Sequence, residues 1–358
     1  MASDTPYPEL KKTHTMAHKG RPWTDYKPPP AAPVWSVIEG LGSYYILLAA
    51  LELDVFDTLG STGPVGVDFL ARKLDVSEPH LQSLLDSLVA LGLLDQFENI
   101  YELNDTAERY LTSGGAASMS DLIPVAPGPH NNWLSLAETI KNGRPGNPID
   151  NDPASFYIPL VEGTFTTMLR TAIRSDLKIR YSASPDLKVL DLGAGGAPWS
   201  IAFLSACPEA TSVVNDFAEV LEVAKRKTVE HEVFDRCEFR PGNFQDIEIE
   251  SNSYDLVVLG HVCRTEGEEG AANLIDRAFS ALKPGGRILL ADYFIDLERK
   301  FNPHGVLMGM TMMASTINGF QISNEQVSLW LRESGFESLR LVEPIGFQFV
   351  YVAVKPFN

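Results

Sequence analysis

The stretch Lys188-Val-Leu-Asp-Leu-Gly-Ala-Gly-Gly-Ala-Pro-Trp199 decides the fold. The apolar residues around Asp191 predict the end of a strand, and Gly193 and Gly195 predict a tight turn after it. Pro198 is well placed to open a helix, because the missing N–H costs nothing at the first helical position. A strand, a glycine-rich turn and a helix form the nucleotide-binding end of a doubly wound α/β sheet. Glycines let the backbone approach a ligand, and the helix N-terminus offers free N–H groups.

The residues of this turn indicate a ligand other than a dinucleotide. The dinucleotide fingerprint G-x-G-x-x-G needs Gly or Ala where Pro198 stands. An acid at the strand end, Asp191, suits an ammonium group better than a pyrophosphate. Further along, Thr211-Ser-Val-Val-Asn-Asp216 predicts a second strand that ends in an acid. Such an acid can hold a ribose diol, as in dinucleotide folds.

The Asp-x-Gly-x-Gly pattern followed by the acid Asp216 resembles the class I S-adenosylmethionine (SAM) methyltransferases. Three further motifs fit that family in order and spacing: Gly242-Asn-Phe244, Tyr254-Asp-Leu-Val-Val-Leu259 and Leu282-Lys-Pro-Gly-Gly-Arg-Ile-Leu-Leu-Ala-Asp292. The resemblance covers roughly residues 30–355. It is strongest to the dimeric methyltransferases with an N-terminal winged-helix domain, a group that holds many small-molecule O-methyltransferases.

This resemblance implies an α/β fold in two parts. A Rossmann-like class I methyltransferase sheet with a C-terminal antiparallel hairpin follows an N-terminal α-helical winged-helix dimerisation domain. The expected segments are an N-terminal arm, the winged-helix-like dimerisation domain, a linker with pocket-lining helices, and the SAM-binding catalytic domain. Their expected bounds are 1–30, 31–115, 116–180 and 181–358. In the polar, proline-rich arm, Trp23 and Tyr26 either belong to a simple tail or fold back over an active site or a partner subunit.

The predicted dimerisation domain carries a wide apolar stripe. From Val34 to Leu51, apolar residues recur at steps of three and four, which predicts a helix with a buried face. Residues 67–94 then predict a helix-turn-helix, and 97–101 a small β wing. The second helix, which begins Glu78-Pro-His-Leu-Gln-Ser-Leu-Leu-Asp-Ser87, lacks the Lys and Arg that would contact phosphates. The module is therefore expected to form a homodimer, as the resemblance implies, and not to bind DNA.

Composition excludes several classes of partner. A formal net charge of −18 argues against nucleic acid and against an anionic membrane surface. No run was expected to approach the ~20 apolar residues of a membrane span. The three cysteines make no disulfide framework, and a cytoplasmic location is predicted. No metal site is predicted, because no metal-ligand spacing is present.

The SAM site is predicted from the family motifs, residue by residue. The residues expected to contact SAM are Asp191, Gly193, Gly195, Asp216, Phe217, Asn243, Phe244 and His261. In the resembling O-methyltransferases a general-base histidine lies just after the fourth strand, about twenty residues before the Pro-Gly-Gly turn. Here that count reaches Arg264, and an arginine cannot act as a base at neutral pH. The base role is not transferred to His261, which lies three residues earlier.

The arginine at this position limits the acceptor. Either the chain is an inactive relative, or its acceptor has no proton to lose before methyl transfer, as with a thioether sulfur or an activated aromatic carbon. Arg264 also offers a planar fork suited to a carboxylate. The sequence therefore favours a thioether acid, and it resembles the S-methyltransferases of dimethylsulfoniopropionate synthesis, which act on 4-methylthio-2-hydroxybutyrate. Left open are C-methylation of an aromatic amino-acid derivative, O-methylation of a secondary metabolite, and a non-methylating SAM-binding relative.

Five residues are candidates for binding the acceptor. They are Arg264, His130, Tyr157, Arg170 and Met308. His130 precedes a short predicted helix and could equally cap it. Tyr157 could contact a sulfonium through its ring or belong to the core. Arg170 could bind a carboxylate or face solvent, and Met308 belongs to a methionine cluster that could wall the pocket.

Overall fold

The computed structural model describes residues 31–126, 128–180, 186–296, 298 and 302–357. The predicted arm, residues 1–30, lies outside the described residues. The described chain forms a small N-terminal unit, a helical connection and a large α/β unit. The expected α/β fold with an N-terminal helical domain is confirmed.

The N-terminal unit has the predicted winged-helix arrangement. Its elements are α1 (Ala32–Glu52), α2 (Val55–Thr62), β1 (Val65–Gly66), α3 (Val67–Leu74), α4 (Glu78–Ala90), β2 (Asp95–Phe97), β3 (Ile100–Glu102) and α5 (Asp105–Tyr110). The wing is the antiparallel hairpin β2–β3, and β1 pairs with β3 on its other side. Phe56, Leu85 and Tyr101 are buried in the core beneath it.

The first helix covers the whole apolar stripe from Val34 to Leu51. Helix α1 ends at Glu52 and α2 starts at Val55, because Asp54 takes a left-handed conformation with φ of 56°. Ser77 precedes α4, and its Oγ bonds to Nδ1 of His80 at 2.8 Å instead of capping the helix.

The described residues of the chain leave the apolar face of α1 uncovered. Trp35 is 57% exposed, Val37 76% and Leu41 65%, and Ala50 is the buried residue of this helix. Among the described helices, α1 is the only one that is long and apolar enough to cross a membrane. The sequence-based statement that no run approaches a membrane span was therefore wrong for this helix.

The helical connection contains two short helices and one long one. They are α6 (His130–Leu134), α7 (Leu136–Asn142) and α8 (Pro153–Ile179). Pro153 opens α8, and the side chain of Asp152 accepts a hydrogen bond from the backbone N–H of Ser155. Because α8 packs along α9 and α10 of the large unit, it forms one wall over the carboxyl edge of the sheet.

The large unit is a seven-stranded sheet in the order β6-β5-β4-β7-β8-β10-β9. Its elements are β4 (Lys188–Leu192), α9 (Pro198–Ala206), β5 (Thr211–Asp216), α10 (Ala218–Glu230), β6 (Cys237–Pro241), β7 (Tyr254–Gly260), α11 (Gly267–Ala281), β8 (Leu282–Asp292), α12 (Pro303–Ser315), α13 (Asn324–Glu333), β9 (Glu337–Ile345) and β10 (Gln348–Val354). Strands β4 to β8 are parallel, and β10 runs antiparallel to β8 and β9. The predicted C-terminal hairpin is therefore present.

Buried apolar side chains cover both faces of this sheet. Strand order reverses between β4 and β7, and ligands of open α/β sheets bind at such a reversal. The carboxyl ends of β4, β5, β7 and β8 bring together Asp191, Asp216, His261 and Asp292.

Candidate functional site

The turn after β4 is formed by residues that have little room for side chains. Gly193 and Gly195 have φ values of 63° and 57°, in the left-handed region that favours glycine. A Cβ at Gly193 would overlap a methyl group of Val262 and lie 3.3 Å from the ring of Phe244. The turn therefore has the tight glycine geometry that the sequence predicted.

Asp191 is buried at the start of this turn. Its Oδ2 accepts hydrogen bonds from the backbone N–H and the Oγ of Ser200, at 3.2 and 2.7 Å, which holds the beginning of α9. Its Oδ1 is buried and has no partner among the described residues. Burial raises the pKa of Asp191 to about 6. One oxygen thus remains able to accept a hydrogen bond from an ammonium group.

Asp216 at the end of β5 fixes the same turn from the neighbouring strand. Its Oδ2 accepts from the N–H of Gly195 and its Oδ1 from the N–H of Phe217, each at 2.8 Å. Burial raises its pKa to about 6 as well. Phe217 stacks at 6.5 Å on the ring of Tyr157 from α8. Asp216 therefore shapes the glycine turn, and its contact with the ribose stays a prediction.

The Gly242-Asn-Phe motif lies beside this turn. The N–H of Gly242 donates to the carbonyl oxygen of Asp216 at 3.0 Å. Asn243 is exposed, and its Oδ1 accepts from the N–H of Gln245 at 2.8 Å. Phe244, in contrast, is close to Gly193. The glycine turn, the buried carboxylate of Asp191 with its unpartnered oxygen and the half-buried carboxylate of Asp216 fit SAM.

Arg264 lies in a short 3₁₀ turn after β7, next to the end of β8. Its Nη1 donates to Oδ1 of Asp292 at 2.6 Å, and its guanidinium lies 5.3 Å from the centre of the Tyr293 ring. Burial would raise the pKa of Asp292, but the charge of Arg264 and then contact with His261 outweigh it and hold the pKa at about 2. Arg264 is therefore engaged by a buried carboxylate of the same chain.

The Arg264–Asp292 pair leaves polar atoms without partners. Oδ2 of Asp292 and Nε of Arg264 are buried and make no hydrogen bond within the described residues. Unsatisfied buried polar groups are costly, so such atoms indicate a bound group or water. Both residues line a narrow cleft whose other walls are Tyr293, Gly305, Met308, Gly309, Phe320, Gln321 and Ile322.

His261 lies between the cleft and the last strand pair. Its φ is 66°, its Nε2 is 3.1 Å from Oε1 of Gln348, and its Nδ1 is 3.6 Å from Oδ1 of Asp292. Nε2 of Gln348 in turn donates to the sulfur of Met168 at 3.6 Å. His261 is thus packed among protein groups, and its predicted contact with SAM stays a prediction.

The predicted acceptor-binding residues do not all lie together. Met308 lines the cleft beside Arg264. Burial raises the pKa of the Tyr157 hydroxyl to about 12. The nearby positive charge of Arg264 lowers this pKa and so opposes the effect of burial. Arg170, by contrast, is two residues beyond Met168 and so lies roughly 200° around α8 from it.

His130 contacts the N-terminal unit. Its Nε2 is 3.1 Å from the hydroxyl of Tyr44 in α1, and that hydroxyl also donates to the carbonyl oxygens of Ile123 and Ala126. The ring of His130 lies edge-on to Tyr45 as well. His130 therefore joins α1 to the helical connection, and it does not line the narrow cleft.

Sequence reasoning missed two residues that shape the cleft. Asp292 closes the quoted motif 282–292, and its place at the carboxyl end of a central strand could have marked it. Gln321 lies in a segment with no recognisable pattern, and nothing in the sequence indicated its position.

Two family models match this chain. The model of the O-methyltransferase domain matches residues 172–337, and the model of the O-methyltransferase dimerisation domain matches residues 35–113. Together they span more than half of the 358 residues. The second match includes most of the exposed apolar helix α1.

Individual relatives agree with these matches. The chain is 25% identical over 322 residues to the 3-hydroxy-5-methyl-1-naphthoate 3-O-methyltransferase of Streptomyces sahachiroi, covering 85% of this chain and 88% of the relative. It is also 25% identical to the tetracenomycin polyketide synthesis 8-O-methyltransferase of Streptomyces glaucescens, covering 87% and 92%. Human N-acetylserotonin methyltransferase, solved in complex with SAM, superposes with a TM-score of 0.79 at 22% identity, covering 93% and 99%.

Proposed function

We propose that this chain, a member of the O-methyltransferase family of class I SAM-dependent methyltransferases, methylates a hydroxyl oxygen of a small molecule. The acceptor is held beside Asp292 and Arg264. The chain is a SAM-dependent methyltransferase with an N-terminal dimerisation domain. The proposal depends on one observation. Asp292 lines the cleft, and its Oδ2 is a buried hydrogen-bond acceptor with no partner among the described residues.

Different residues are proposed to bind SAM and the acceptor. SAM supplies the methyl group as a sulfonium electrophile. Asp191, with its free Oδ1, is proposed to hold the ammonium group, and Asp216 the ribose. Their positions at adjacent strand ends orient the cofactor towards the cleft, and orientation of two reactants is itself a large part of catalysis.

Asp292 is proposed to orient the acceptor and receive its proton. A hydroxyl in the cleft would donate a hydrogen bond to Oδ2, which points the oxygen lone pairs away from the carboxylate. As the oxygen gains the methyl group it becomes positively charged, and its proton passes to Oδ2, leaving a neutral ether and S-adenosylhomocysteine. A strong base is unnecessary, since a methylated hydroxyl group sheds its proton readily. Arg264 keeps Asp292 ionised for this role.

A thioether acid remains the second candidate acceptor. The observation that favours it is Arg264, which stands where the related enzymes have a histidine base. A sulfur lone pair needs no proton acceptor, and Nε of Arg264 is free to bind a carboxylate. Against it, Nη1 of Arg264 already binds Asp292, so the positive charge available to an acceptor is largely neutralised.

A panel of acceptors tests this proposal. The protein, supplied with SAM, should form S-adenosylhomocysteine with hydroxyaromatic acceptors and not with 4-methylthio-2-hydroxybutyrate or other methylthio acids. Product formation is measured by mass spectrometry, which also locates the methyl group on oxygen, carbon or sulfur. Turnover of methylthio acids alone would establish the second candidate. Methylation of ring carbon, or no turnover with any acceptor while SAM binds, would contradict both.

The exposed face of α1 supports a homodimer. Its apolar side chains are exposed among the described residues, and large exposed apolar patches mark interaction sites. We infer that two copies pair through this helix and that the dimer works in the cytoplasm. Sedimentation at micromolar concentration should give roughly twice the mass of one chain. Leu41→Glu should yield monomers, whereas Phe69→Glu, at an exposed residue of α3, should not. A monomer for the unmodified protein would contradict this assignment.

A further inference from the structure

The side chain of Gln321 lies across helix α12 at a glycine. Its side chain passes directly over Gly309, and a Cβ built on that glycine would overlap the Gln321 side chain. Its Nε2 donates to the carbonyl oxygen of Val306 at 3.0 Å. The absence of a side chain at Gly309 is therefore what lets Gln321 lie on the helix.

The segment that carries Gln321 is anchored on both sides. The N–H of Phe320 donates to the carbonyl oxygen of Arg264 at 3.1 Å, and the N–H of Ile295 donates to the carbonyl oxygen of Ile322 at 3.0 Å. The backbone at this point thus joins the turn after β7 to the chain after β8. Because its backbone is fixed, only the side chain of Gln321 is free to move.

This side chain occupies the cleft beside the proposed chemistry. Gln321 lines the same narrow space as Arg264, Asp292 and Met308. One neutral hydrogen bond holds it there, and such a bond contributes little net free energy. The open space of the cleft is about 10 Å³, so an acceptor enters only as side chains move, and a larger acceptor requires Gln321 to leave Gly309.

We propose that Gln321, lying over Gly309, sets the size of acceptor that the cleft admits. This specificity role rests on the proposed function only in placing the acceptor in that cleft. Shortening residue 321 should open room next to Asp292 and leave the SAM-binding residues at the ends of β4 and β5 untouched. Adding a side chain at residue 309 should push Gln321 into the cleft and close it further.

The first test compares binding of two acceptors of different size. Calorimetry with phenol and with 1-naphthol, in the presence of S-adenosylhomocysteine, gives the ratio of their affinities without requiring turnover. Gln321→Ala should shift that ratio towards naphthol by about tenfold, the usual scale for a change in pocket size. Gln96→Ala is the matched control, because Gln96 in the wing also donates to one backbone carbonyl, that of Glu98. An unchanged ratio would overturn the proposal, whereas a shifted ratio without turnover would count against the proposed function alone.

The second test is a double-mutant cycle on thermal stability. Gly309→Ala should lower the unfolding temperature of the protein, since the new methyl group displaces Gln321. In a Gln321→Ala background the same change should lower the unfolding temperature much less, because only the Cβ of residue 321 then remains, 3.0 Å from the new methyl group. Equal effects of Gly309→Ala in the two backgrounds would show that residues 309 and 321 are not coupled, which would remove the basis of the proposal.

Discussion

Asp292→Asn is expected to lower kcat by about 100-fold or more and to destabilise the folded protein by ~3–5 kcal/mol. The second effect follows because the side chain of Arg264 is only 15% exposed, so that removing its partner carboxylate leaves a largely desolvated charge uncompensated. The first follows because the amide cannot receive a proton from the acceptor. Stability is measured by denaturant unfolding, and kcat by S-adenosylhomocysteine release with the acceptor identified in the panel.

A double variant separates these two effects. Replacing a buried ion pair by groups that need no charge partner is often close to neutral for stability. Arg264→Met combined with Asp292→Asn should therefore recover most of the lost stability and stay inactive. Recovery of both stability and kcat would show that the pair is only structural, and the role proposed for Asp292 would be wrong.

The family base position offers a further control for this prediction. Arg264→His, with Asp292 kept, places an imidazole beside a carboxylate at the position where the resemblance implies a histidine base. Methylation of hydroxyaromatic acceptors should persist in this variant, since Asp292 still receives the hydrogen bond. It should also become dependent on a group that titrates near neutrality.

The sequence predicted the edge of the sheet well because the motifs there are local. A strand, a left-handed glycine and a helix start depend on neighbouring residues, so the Asp191 to Pro198 turn could be recognised from its own pattern. Asp216 could likewise be placed, since parallel strands end at one edge. The C-terminal hairpin followed from the alternating apolar residues of β10 and from the resemblance.

The contents of the cleft could not be predicted in the same way. Arg264 was expected to bind an acceptor carboxylate, but its partner Asp292 is 28 residues away in sequence and belongs to the next strand. Whether two side chains meet across neighbouring strand ends depends on rotamers and burial, which a sequence pattern does not encode. The same holds for His130, whose contact with Tyr44 joins residues 86 apart.

The apolar stripe on α1 shows a second limit of structure prediction from sequence. The pattern correctly predicted the helix, but the face predicted to be buried is exposed in the structure, since periodicity cannot tell whether the same chain, a second copy or lipid covers it. In the structure Trp35 and Leu41 are exposed, and the match of residues 35–113 to a dimerisation domain is what favours a second copy.

The affinity for SAM is expected to fall as the pH drops below about 6. Burial raises the pKa of both Asp191 and Asp216 to about 6 in the free protein, so each carboxyl takes up a proton just below that pH. SAM carries positive charge and favours the ionised carboxylates, so binding must then expel those protons. Between pH 7.5 and pH 5 the dissociation constant should rise about tenfold for one coupled group and about 100-fold for two. Isothermal titration in buffers of different ionisation enthalpy counts the released protons.

The contribution of these carboxyls to the stability of the free protein changes in the opposite direction with pH, which makes the test specific. A carboxyl whose pKa is raised on folding stabilises the folded state below its unfolded pKa, and that contribution is lost as the pH rises through about 6. Weaker SAM binding at pH 5 therefore cannot be ascribed to loss of these groups' contribution to folding.

Asp191→Asn keeps an oxygen for Ser200 but removes the charge, so it should weaken SAM binding by ~1.5–3 kcal/mol and halve the number of protons released. Asp255→Asn, at the opposite end of β7 beside Lys283, should change neither quantity. A dissociation constant that stays flat from pH 7.5 to 5 would remove Asp191 and Asp216 from the cofactor site.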